Sequence, residues 1–233
     1  MKAARYIQIH DDMSEAIASG KWQPGDKIPA ERDLAEEFSV SRMTLRQAIM
    51  LLVDEGLLER RVGAGTFVAE QKVQERLNGI SSFTELMTAA GKVATSKTIA
   101  YYTGIATNAE VQHLKLTDGD SVLRMERIRY GDGEPIAYEI ATLPEKLVFG
   151  LARKDLTDSL YRTLADQRDI QVGKAQQRVT AGAAVERIAQ YLQIDRGDPV
   201  LSLGQVTLDQ HGQPFEYVRT QYVGARFEFY LEH

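Results

Sequence analysis

The 233-residue sequence predicts an α+β protein with two domains, a small N-terminal domain of helices and one β-hairpin, and a larger C-terminal domain built on an antiparallel sheet. Three observations indicate this organisation. Helical periodicity dominates residues 1–69, which end in two short β-prone runs around Gly63-Ala64-Gly65. Residues 70–79 are polar and are interpreted as a linker. Over residues 80–230, strand-like runs alternate with short helical patterns.

The N-terminal domain is predicted to hold three helices followed by a hairpin. The third helix begins at Ser41, whose hydroxyl can cap the backbone N–H of Thr44. The predicted helices cover residues 6–19, 30–38 and 41–56, and the hairpin strands cover 57–61 and 66–69. Helix, helix, short turn, helix and hairpin is the order of a winged helix-turn-helix.

The distribution of charge, rather than its sum, indicates a DNA-binding surface. The net charge is −5, and residues 1–69 hold nine Lys and Arg against eleven Asp and Glu. Arg42 and Arg46 nevertheless share one face of helix three, and Arg60 and Arg61 flank the hairpin tip, whereas the acidic residues lie mainly on helices one and two. Such a basic edge suits a DNA duplex. A solvated helix face without function is the alternative explanation.

Four segments of the N-terminal domain carry a resemblance to a known family. They are residues 28–35, 40–48, 55–58 and 63–68, and on them residues 5–69 resemble the GntR family of bacterial regulators. The resemblance implies operator contacts from the matching positions, which are Arg32, Ser41, Arg42, Thr44, Arg46 and Gly65. The family commonly has Ser where Ala30 stands, so one capping hydroxyl is missing here, and we expect a lower affinity for DNA but the same binding mode.

The chemistry of these residues agrees with that role. Arg42 and Arg46 can each bond guanine O6 and N7 in the major groove, and Ser41 and Thr44 can donate to phosphate. A glycine at position 65 allows the hairpin tip to approach the minor groove closely. A nucleotide-binding loop is the other interpretation of Gly63-Ala64-Gly65, but the strand-to-helix context that such a loop needs is missing.

The C-terminal domain contains an internal repeat. Residues 114–123 resemble residues 192–201, and residues 132–138 resemble residues 211–217. Each copy places a short amphipathic helix before two strands joined by a glycine turn. We therefore predict a duplicated sheet with a ligand cleft near the junction of its halves; chance recurrence is the alternative.

A second resemblance covers residues 77–229. Its motifs are residues 77–85, 127–129, 137–139, 159–161 and 215–217 together with Tyr222, and they are similar to the UTRA effector domain of the HutC subfamily, whose fold is shared with chorismate lyase. The resemblance is greatest to members that sense phosphorylated amino sugars. Those sensors carry Gly-Asp-Arg-Tyr where this chain has Gly224-Ala225-Arg226-Phe227, so the exact ligand is expected to differ.

The residue chemistry of this domain fits a small anionic polyol. Arg127 and Arg129 are two apart on a predicted strand, so both side chains point to one face and can hold a phosphate. Ser82-Phe83-Thr84-Glu85 is a predicted helix start, whose free N–H groups favour an anion. The candidate effector-binding residues are Ser82, Phe83, Thr84, Arg127, Arg129, Glu139, Ser159, Tyr161, Lys174, Glu216 and Tyr222. An exposed face with cross-strand ion pairs, surface carboxylates and core tyrosines are the alternatives.

The sequence gives little support to other classes of protein. It has no cysteine, no run of apolar residues long enough for a membrane helix, no N-terminal secretion signal and no metal-ligand spacing of histidines. We expect no cofactor and a cytoplasmic location. An enzyme related to chorismate lyase and an architectural DNA-binding protein without a ligand are the competing hypotheses; no acid-base or nucleophile set supports the first, and the arginines and hydroxyls after residue 80 argue against the second.

The sequence as a whole therefore predicts a homodimeric repressor that binds double-stranded operator DNA and responds to a small anionic metabolite, with a sugar phosphate as the expected ligand. Leu231-Glu232-His233 is interpreted as the remnant of an expression tag.

Overall fold

The computed structural model describes residues 4–69, 72–77 and 79–231. The chain divides into two compact units, residues 1–71 and residues 72–233. Glu232 and His233 of the expected tag remnant lie outside the described residues. None of the helices in the described part of the chain combines the length and the apolar character that crossing a membrane requires.

The N-terminal unit is a winged helix-turn-helix. Its elements are helices α1 (Arg5–Ala18), α2 (Glu31–Glu37) and α3 (Arg42–Asp54) and the antiparallel strands β1 (Leu58–Arg61) and β2 (Gly65–Val68). A bridge from Lys27 to Phe67 extends the hairpin by one residue of the preceding loop. One buried core joins the helices and the hairpin. It contains Leu34, Leu45, Ile49 and residues of α1 and both strands, so the buried face of α3 is fixed by packing.

The ends of the two central helices differ as the sequence predicts. Ser41 caps α3, since its hydroxyl accepts a hydrogen bond from the Thr44 N–H at 3.2 Å. Ala30 occupies the equivalent position before α2 with extended backbone and offers no side-chain cap. The Asp33 N–H in the first turn of α2 bonds the Ala30 carbonyl at 2.9 Å instead of a side-chain cap.

The C-terminal unit is built on a six-stranded antiparallel sheet. The sheet order is β4-β5-β6-β9-β8-β7, and a separate parallel pair is formed by β3 and β10. The strands are β3 (Val73–Arg76), β4 (Ala94–Ile105), β5 (Ser121–Gly131), β6 (Glu134–Pro144), β7 (Val172–Ala183), β8 (Pro199–Asp209), β9 (Pro214–Val223) and β10 (Phe227–Tyr230). The helices are α4 (Phe83–Ala89), α5 (Asn108–Leu114), α6 (Glu145–Val148), α7 (Arg153–Asp158), α8 (Leu160–Arg168) and α9 (Glu186–Leu192). The α+β class with an antiparallel sheet is thus confirmed.

The sheet consists of two halves with the same order of elements. One half is β4, α5, β5 and β6, the other is β7, α9, β8 and β9, and they meet where β6 pairs with β9. Lys115 and Gln193 end α5 and α9 in the same left-handed conformation, with φ of 51° and 53°. Asp120 and Asp198 then accept a hydrogen bond from the backbone N–H three residues before them, at 2.9 Å in both halves. The repeat read from the sequence is therefore a repeat in structure, and it also includes β4 and β7.

The prediction of a linker over residues 70–79 is wrong for residues 73–76. These residues form β3, in which Val73 and Glu75 are buried and Gln74 and Arg76 are exposed. The strand pairs with β10, which lies near the C-terminal end of the domain's sequence, so no local sequence pattern predicts it. Its composition is polar because one of the two buried positions is a carboxylate. Glu70, Gln71 and Asn78 of the predicted linker lie outside the described residues.

Two hydrophobic clusters on the sheet leave a space where they meet. One joins the sheet to α6, α7 and α8 through Leu156, Leu160 and Leu164. The other joins it to α4, β3 and β10 through Phe83, Leu86 and Phe227. Members of both clusters line a single cavity above the centre of the sheet, which is the candidate effector site.

Candidate DNA-binding surface and effector cavity

The arginines of the recognition helix α3 differ in how they are held. Arg42 is exposed at the first position of the helix and makes no polar contact with any of the described residues. Arg46 donates from Nε and Nη2 to Glu31 Oε2 at 3.2 and 3.0 Å, and Arg60 of the hairpin donates to the other oxygen of Glu31 at 2.8 Å. One carboxylate thus connects the recognition helix to the hairpin, and Arg46 keeps Nη1 for a base.

The hydroxyls at the start of α3 are partly engaged. Ser41 Oγ and Thr44 Oγ1 lie 2.9 Å apart, so one hydroxyl donates to the other and one proton of the pair remains for DNA phosphate. Arg32 on α2 is exposed and donates to Asp33. Met43, between Arg42 and Thr44, is 68% exposed, and the sequence did not single it out. An exposed apolar side chain there is suited to contact a thymine methyl group.

The hairpin tip requires glycine at position 65. Its φ is +123°, and a Cβ atom on it would lie 2.7 Å from Cε of Lys27. Lys27 therefore passes directly over the tip and adds a cation that the sequence analysis missed. Arg61 stacks on the Phe67 ring, with the guanidinium carbon 4.4 Å from its centroid. Lys27, Arg60 and Arg61 thus place three cations on the hairpin, of which Arg60 pairs with Glu31 and Arg61 with Glu59; cations of this kind are attracted to the phosphates of DNA.

The effector cavity lies within the C-terminal unit and has a volume of about 410 Å³. That volume falls within the range of small-molecule sites. Strands from both halves of the sheet contribute to it, which agrees with the cleft predicted at their junction. The polar lining residues are Glu75, Ser81, Ser82, Thr84, Glu85, Arg127, Arg129, Glu139, Asp158, Ser159, Tyr161, Arg162, Gln205, Glu216, Thr220 and Tyr222.

Arg127 is paired inside the cavity. It lies opposite Glu139 in the register of β5 and β6 and donates from Nε to Glu139 Oε1 at 3.0 Å. Its Nη1 also donates to the Thr157 carbonyl at 3.2 Å. Burial alone would raise the pKa of Glu139, but Arg127 and Arg129 lower it below its ordinary value, so the carboxylate is charged. The cross-strand ion pair considered from the sequence exists, on a buried face.

Arg129 has no such partner. The residue is 7% exposed, its guanidinium carbon lies 4.5 Å from the centroid of the Phe83 ring, and its Nε is a buried donor without an acceptor among the described residues. Burial lowers the pKa of Arg129 to about 10, which still leaves it protonated at neutral pH. A buried cation with an unused donor is costly unless an anion arrives.

Glu216 accepts hydrogen bonds from neighbouring hydroxyls and has no cation as a partner among the described residues. Tyr161 donates to Glu216 Oε2 at 2.7 Å and Thr207 donates to it at 2.9 Å. Burial raises the pKa of Glu216 to about 7 against these hydrogen bonds, and the nearby Glu139 adds to the rise. At neutral pH the carboxyl is therefore partly protonated, and it offsets little of the charge of Arg129.

The start of α4 is less open to an anion than the sequence suggests. Ser82 and Glu85 form a capping box: the Ser82 hydroxyl accepts from the Glu85 N–H, and the Glu85 carboxylate accepts from the Ser82 N–H at 2.7 Å. Only the N–H groups of Phe83 and Thr84 in the first turn are left without an intrahelical acceptor. Ser82 and Thr84 still line the cavity with their hydroxyls.

Comparison with known proteins identifies both units. Residues 5–68 match the family described as bacterial regulatory proteins, gntR family, and residues 89–228 match the UTRA domain. The chain belongs to the GntR family of bacterial regulators. The transcriptional repressor NagR of Bacillus subtilis is 35% identical over 96% of this chain and 92% of its own length. The mannosyl-D-glycerate transport/metabolism system repressor MngR of Escherichia coli is 30% identical over 97% of this chain and 94% of its own length.

Solved structures of GntR regulators share the architecture. PhnF from Mycobacterium smegmatis is 29% identical, with a TM-score of 0.68 over 99% of both chains. A GntR-family regulator from Enterococcus faecalis is 45% identical, with a TM-score of 0.57, and covers 60% of this chain and 100% of its own. The expected function, a DNA-binding transcriptional repressor controlled by a ligand of its UTRA domain, is confirmed by this family and these relatives, which are regulators rather than enzymes.

The structure brings ten of the eleven candidate effector residues of this GntR regulator to one cavity. Lys174 is the exception, because it lies exposed on the edge strand β7 and does not line the cavity. Glu75, Gln205 and Thr220 line it and were missed by the sequence analysis. Gln205 and Thr220 follow the alternation of β8 and β9, which could have found them, whereas Glu75 lies in the segment interpreted as a linker.

Residues 224–227, which differ from the Gly-Asp-Arg-Tyr motif of the amino-sugar sensors, include a residue that supports the cavity wall. Phe227 is buried and stacks on Tyr222 with ring centroids 3.9 Å apart, so a phenyl ring backs one wall. Arg226 donates to the carbonyls of Pro135 and Leu192 and pairs with Glu134. This end of the motif is therefore structural here.

A second depression, of about 480 Å³, lies beside α5 and α6. Asp120, Glu145 and Lys146 line it together with the exposed Phe149, but no arginine does. No group of three His, Asp or Glu among the described residues is arranged to hold a metal ion. The cavity above the sheet centre is thus the better candidate for an anionic ligand.

Proposed function

We propose that the effector of this regulator is a phosphorylated sugar or amino sugar that binds in the cavity and weakens operator binding. The observation that carries the proposal is Arg129, a buried protonated guanidinium with an unused Nε donor. Arg127 is already paired with Glu139, whereas Arg129 has no carboxylate within ion-pair distance among the described residues. A phosphate would supply the missing acceptors by charge-assisted hydrogen bonds.

The remainder of the lining suits a polyol. Ser82, Thr84 and Ser159 offer hydroxyls, and Gln205 and Thr220 add further donors and acceptors. A sugar ring with several hydroxyls can satisfy such groups, whereas an apolar metabolite would leave them unpaired. The name of MngR refers to mannosyl-D-glycerate transport and metabolism, and that of another relative to fructoselysine utilization, which supports a sugar derivative as the class of ligand here.

We propose that the DNA-binding surface of the first unit is formed by Arg32, Ser41, Arg42, Thr44, Arg46 and Gly65, and that the protein acts in the cytoplasm as a homodimer. An operator with two half-sites one helical turn apart needs two recognition helices, and one chain has a single α3. Light scattering of the purified protein, free and on operator DNA, tests the dimer.

Isothermal titration tests the ligand. The probes are glucose 6-phosphate, glucosamine 6-phosphate and N-acetylglucosamine 6-phosphate, each beside its unphosphorylated sugar. We expect one phosphorylated sugar to bind well above the others and to release a labelled operator, and we expect no binding of the free sugars.

The charge of Arg129 is tested by Arg129→Gln, which should weaken the tightest probe about 10- to 100-fold, the range expected for a hydrogen bond to a charged group. Arg178→Gln, on the exposed side of β7, is the matched control and should bind normally. Equal affinity for a sugar phosphate and its free sugar, or an unchanged affinity in Arg129→Gln, would contradict a phosphate-binding role for the cavity.

A further inference from the structure

Glu75 is a buried carboxylate in the effector cavity to which neither the fold nor the family match assigns a role. It lies on β3, is 4% exposed and lines the cavity. Among the described residues its hydrogen-bond partner is the Tyr222 hydroxyl alone, at a long 3.4 Å, and no cation pairs with it. It thus resembles Arg129 in being a buried polar group with unused capacity, but of the opposite sign.

The packing around Glu75 does not require a carboxylate. Its neighbour across the strand pair is Phe229, and the same face of β3 carries Val73, both within an apolar cluster. Burial raises the pKa of Glu75 to about 7, which shows how poorly this position solvates a charge. An apolar residue would pack here at lower cost, so a carboxylate is explained by a donor in addition to the Tyr222 hydroxyl, which the described residues do not supply.

Strand β3 is also the first element of the C-terminal unit. Along the chain it follows directly on residues 70 and 71, which end the N-terminal unit. It is held by a parallel pair of four-residue strands, with backbone bonds from Val73 N–H to the Arg226 carbonyl and from Leu77 N–H to the Tyr230 carbonyl, outside the six-stranded sheet. The pair is short, so a ligand bond to β3 adds to its backbone bonds and to the packing of Val73 and Phe227.

We propose that Glu75 is an effector-binding residue that accepts a hydrogen bond from an amine, amide or hydroxyl of the ligand and so links occupation of the cavity to the strand that leads into the DNA-binding unit. The proposal rests on the function proposed above and adds a ligand contact and a route of coupling to it. Tyr222 lies close to both groups, because its hydroxyl donates to Glu75 at 3.4 Å and the charge of Arg129 opposes the rise in its pKa that burial causes. The effector is then held by a cation at its phosphate and by the Glu75 carboxyl, as an acceptor, at a donor group.

The test compares the full chain with Glu75→Gln, which keeps the shape of the side chain and removes its charge. Gln74→Ala is the matched control, because Gln74 lies on the exposed face of the same strand. Affinity is measured for the tightest of the three sugar phosphates and for inorganic phosphate. Operator dissociation constants are measured by fluorescence anisotropy with no ligand and at ligand saturation.

We expect Glu75→Gln to lower the affinity for the sugar phosphate at least tenfold while changing that for inorganic phosphate less than twofold. The ratio of operator dissociation constants with and without saturating ligand should move towards one, and the ligand-free operator affinity should stay within twofold. Gln74→Ala should match the parent in every measurement.

Three results would overturn the inference. An unchanged affinity for the sugar phosphate would show that Glu75 does not contact the ligand. A parallel loss of inorganic phosphate binding would show that Glu75 is a packing residue of the cavity. A normal operator response at saturation removes the coupling. Failure of the parent chain to bind any of the sugar phosphates is a different result, because it overturns the proposed function and this inference with it.

Discussion

The two units place arginine in opposite surroundings. On the DNA-binding surface the side chains of Arg32 and Arg46 are 67% and 55% exposed, and their carboxylate partners are exposed or half-buried. In the effector cavity Arg127 and Arg129 are 5% and 7% exposed. Exposed cations gain affinity from many phosphates and lose it with salt, whereas a buried cation can select one small anion because water does not compete for it. Under the proposed function, we therefore expect arginine to contact a polymer in one unit and a metabolite in the other.

Removing Arg127 gives the largest expected effect. Arg127→Ala leaves Glu139 buried without its ion-pair partner, which should lower the free energy of unfolding of the C-terminal unit by about 3–5 kcal/mol. Arg32→Ala, which removes an exposed pair with Asp33, should change stability by less than about 0.5 kcal/mol. Urea unfolding of both variants measures the difference.

The double variant Arg127→Met with Glu139→Gln serves as the control. It replaces both partners of the buried pair with neutral side chains of similar length, so most of the lost stability should return although effector binding does not. Equal changes in the free energy of unfolding for Arg127→Ala and Arg32→Ala would contradict the difference between the buried and the exposed arginine.

The buried carboxyls of the cavity should contribute to the pH dependence of stability, in the same direction as His10, whose pKa is raised by Asp11 and Glu55. The pKa of Glu216 is raised from 4.5 to about 7, so between these values the folded state holds a proton that the unfolded state releases. Stability is therefore greatest below about pH 4.5 as far as this group is concerned, and it falls as the pH rises through 7, by about 3 kcal/mol in all. Glu75 acts in the same direction.

Glu216→Gln should accordingly flatten the fall in unfolding free energy between pH 5 and pH 8, as measured by urea titration. Glu37→Gln, at an exposed position of the N-terminal unit, should leave the slope as it is in the parent. A parent slope of zero, or one that Glu216→Gln does not reduce, would contradict the assignment to burial of this carboxyl.

Removing Arg42 tests the exposed side of the comparison. Arg42 is free of protein partners within the described residues, so Arg42→Ala should remove its base contacts without disturbing the fold. We expect operator affinity to fall by about 1–3 kcal/mol for each half-site, and the affinity for the sugar phosphate to stay unchanged. A gel-shift titration against the operator and a scrambled duplex measures this; unchanged affinity for the operator would refute the role of α3.

The sequence predicted the local elements of the first unit better than the long-range pairing of the second. The recognition helix, its Ser41 cap and the hairpin are local features, and their residues are adjacent in the chain. The cavity assembles strands that are far apart in sequence, yet ten residues were predicted because alternation places Arg127 and Arg129 on one face.

What the sequence did not reveal was pairing. The bond between Arg127 and Glu139 depends on the register of two strands, and the link of Arg46 and Arg60 to Glu31 depends on the packing of three elements. Strand β3 was missed for the same reason, since its partner is 154 residues further along the chain. Lys174 was misplaced because its strand is at the edge of the sheet. Local patterns predict elements, whereas long-range register decides which side chains meet.

Neutralising Glu31 should change DNA recognition more subtly. Glu31→Gln releases Arg46 and Arg60 from a shared carboxylate and removes one negative charge from the surface. We expect affinity for a scrambled duplex to rise by up to about 1 kcal/mol at low salt, while the ratio of operator to scrambled affinity falls, because the two arginines are no longer held in place. Anisotropy titrations at two salt concentrations check both quantities; an unchanged ratio would mean that Glu31 does not orient these arginines.

The smallest expected effect concerns the missing cap of α2. Ala30 has φ of −60° and ψ of 147°, the extended backbone that a capping residue adopts, so Ala30→Ser should add a hydroxyl that shares the N–H of Asp33, which already donates to the Ala30 carbonyl at 2.9 Å. We expect a gain of about 0.5–1 kcal/mol in the stability of the N-terminal unit, and Ser41→Ala should cost a similar amount by removing the cap of α3. Thermal unfolding measures both, and neither change should alter the affinity for the sugar phosphate. A destabilised Ala30→Ser variant would show that the position is closed to a hydroxyl, and it would then be packing, rather than the absence of a cap, that sets the start of this helix.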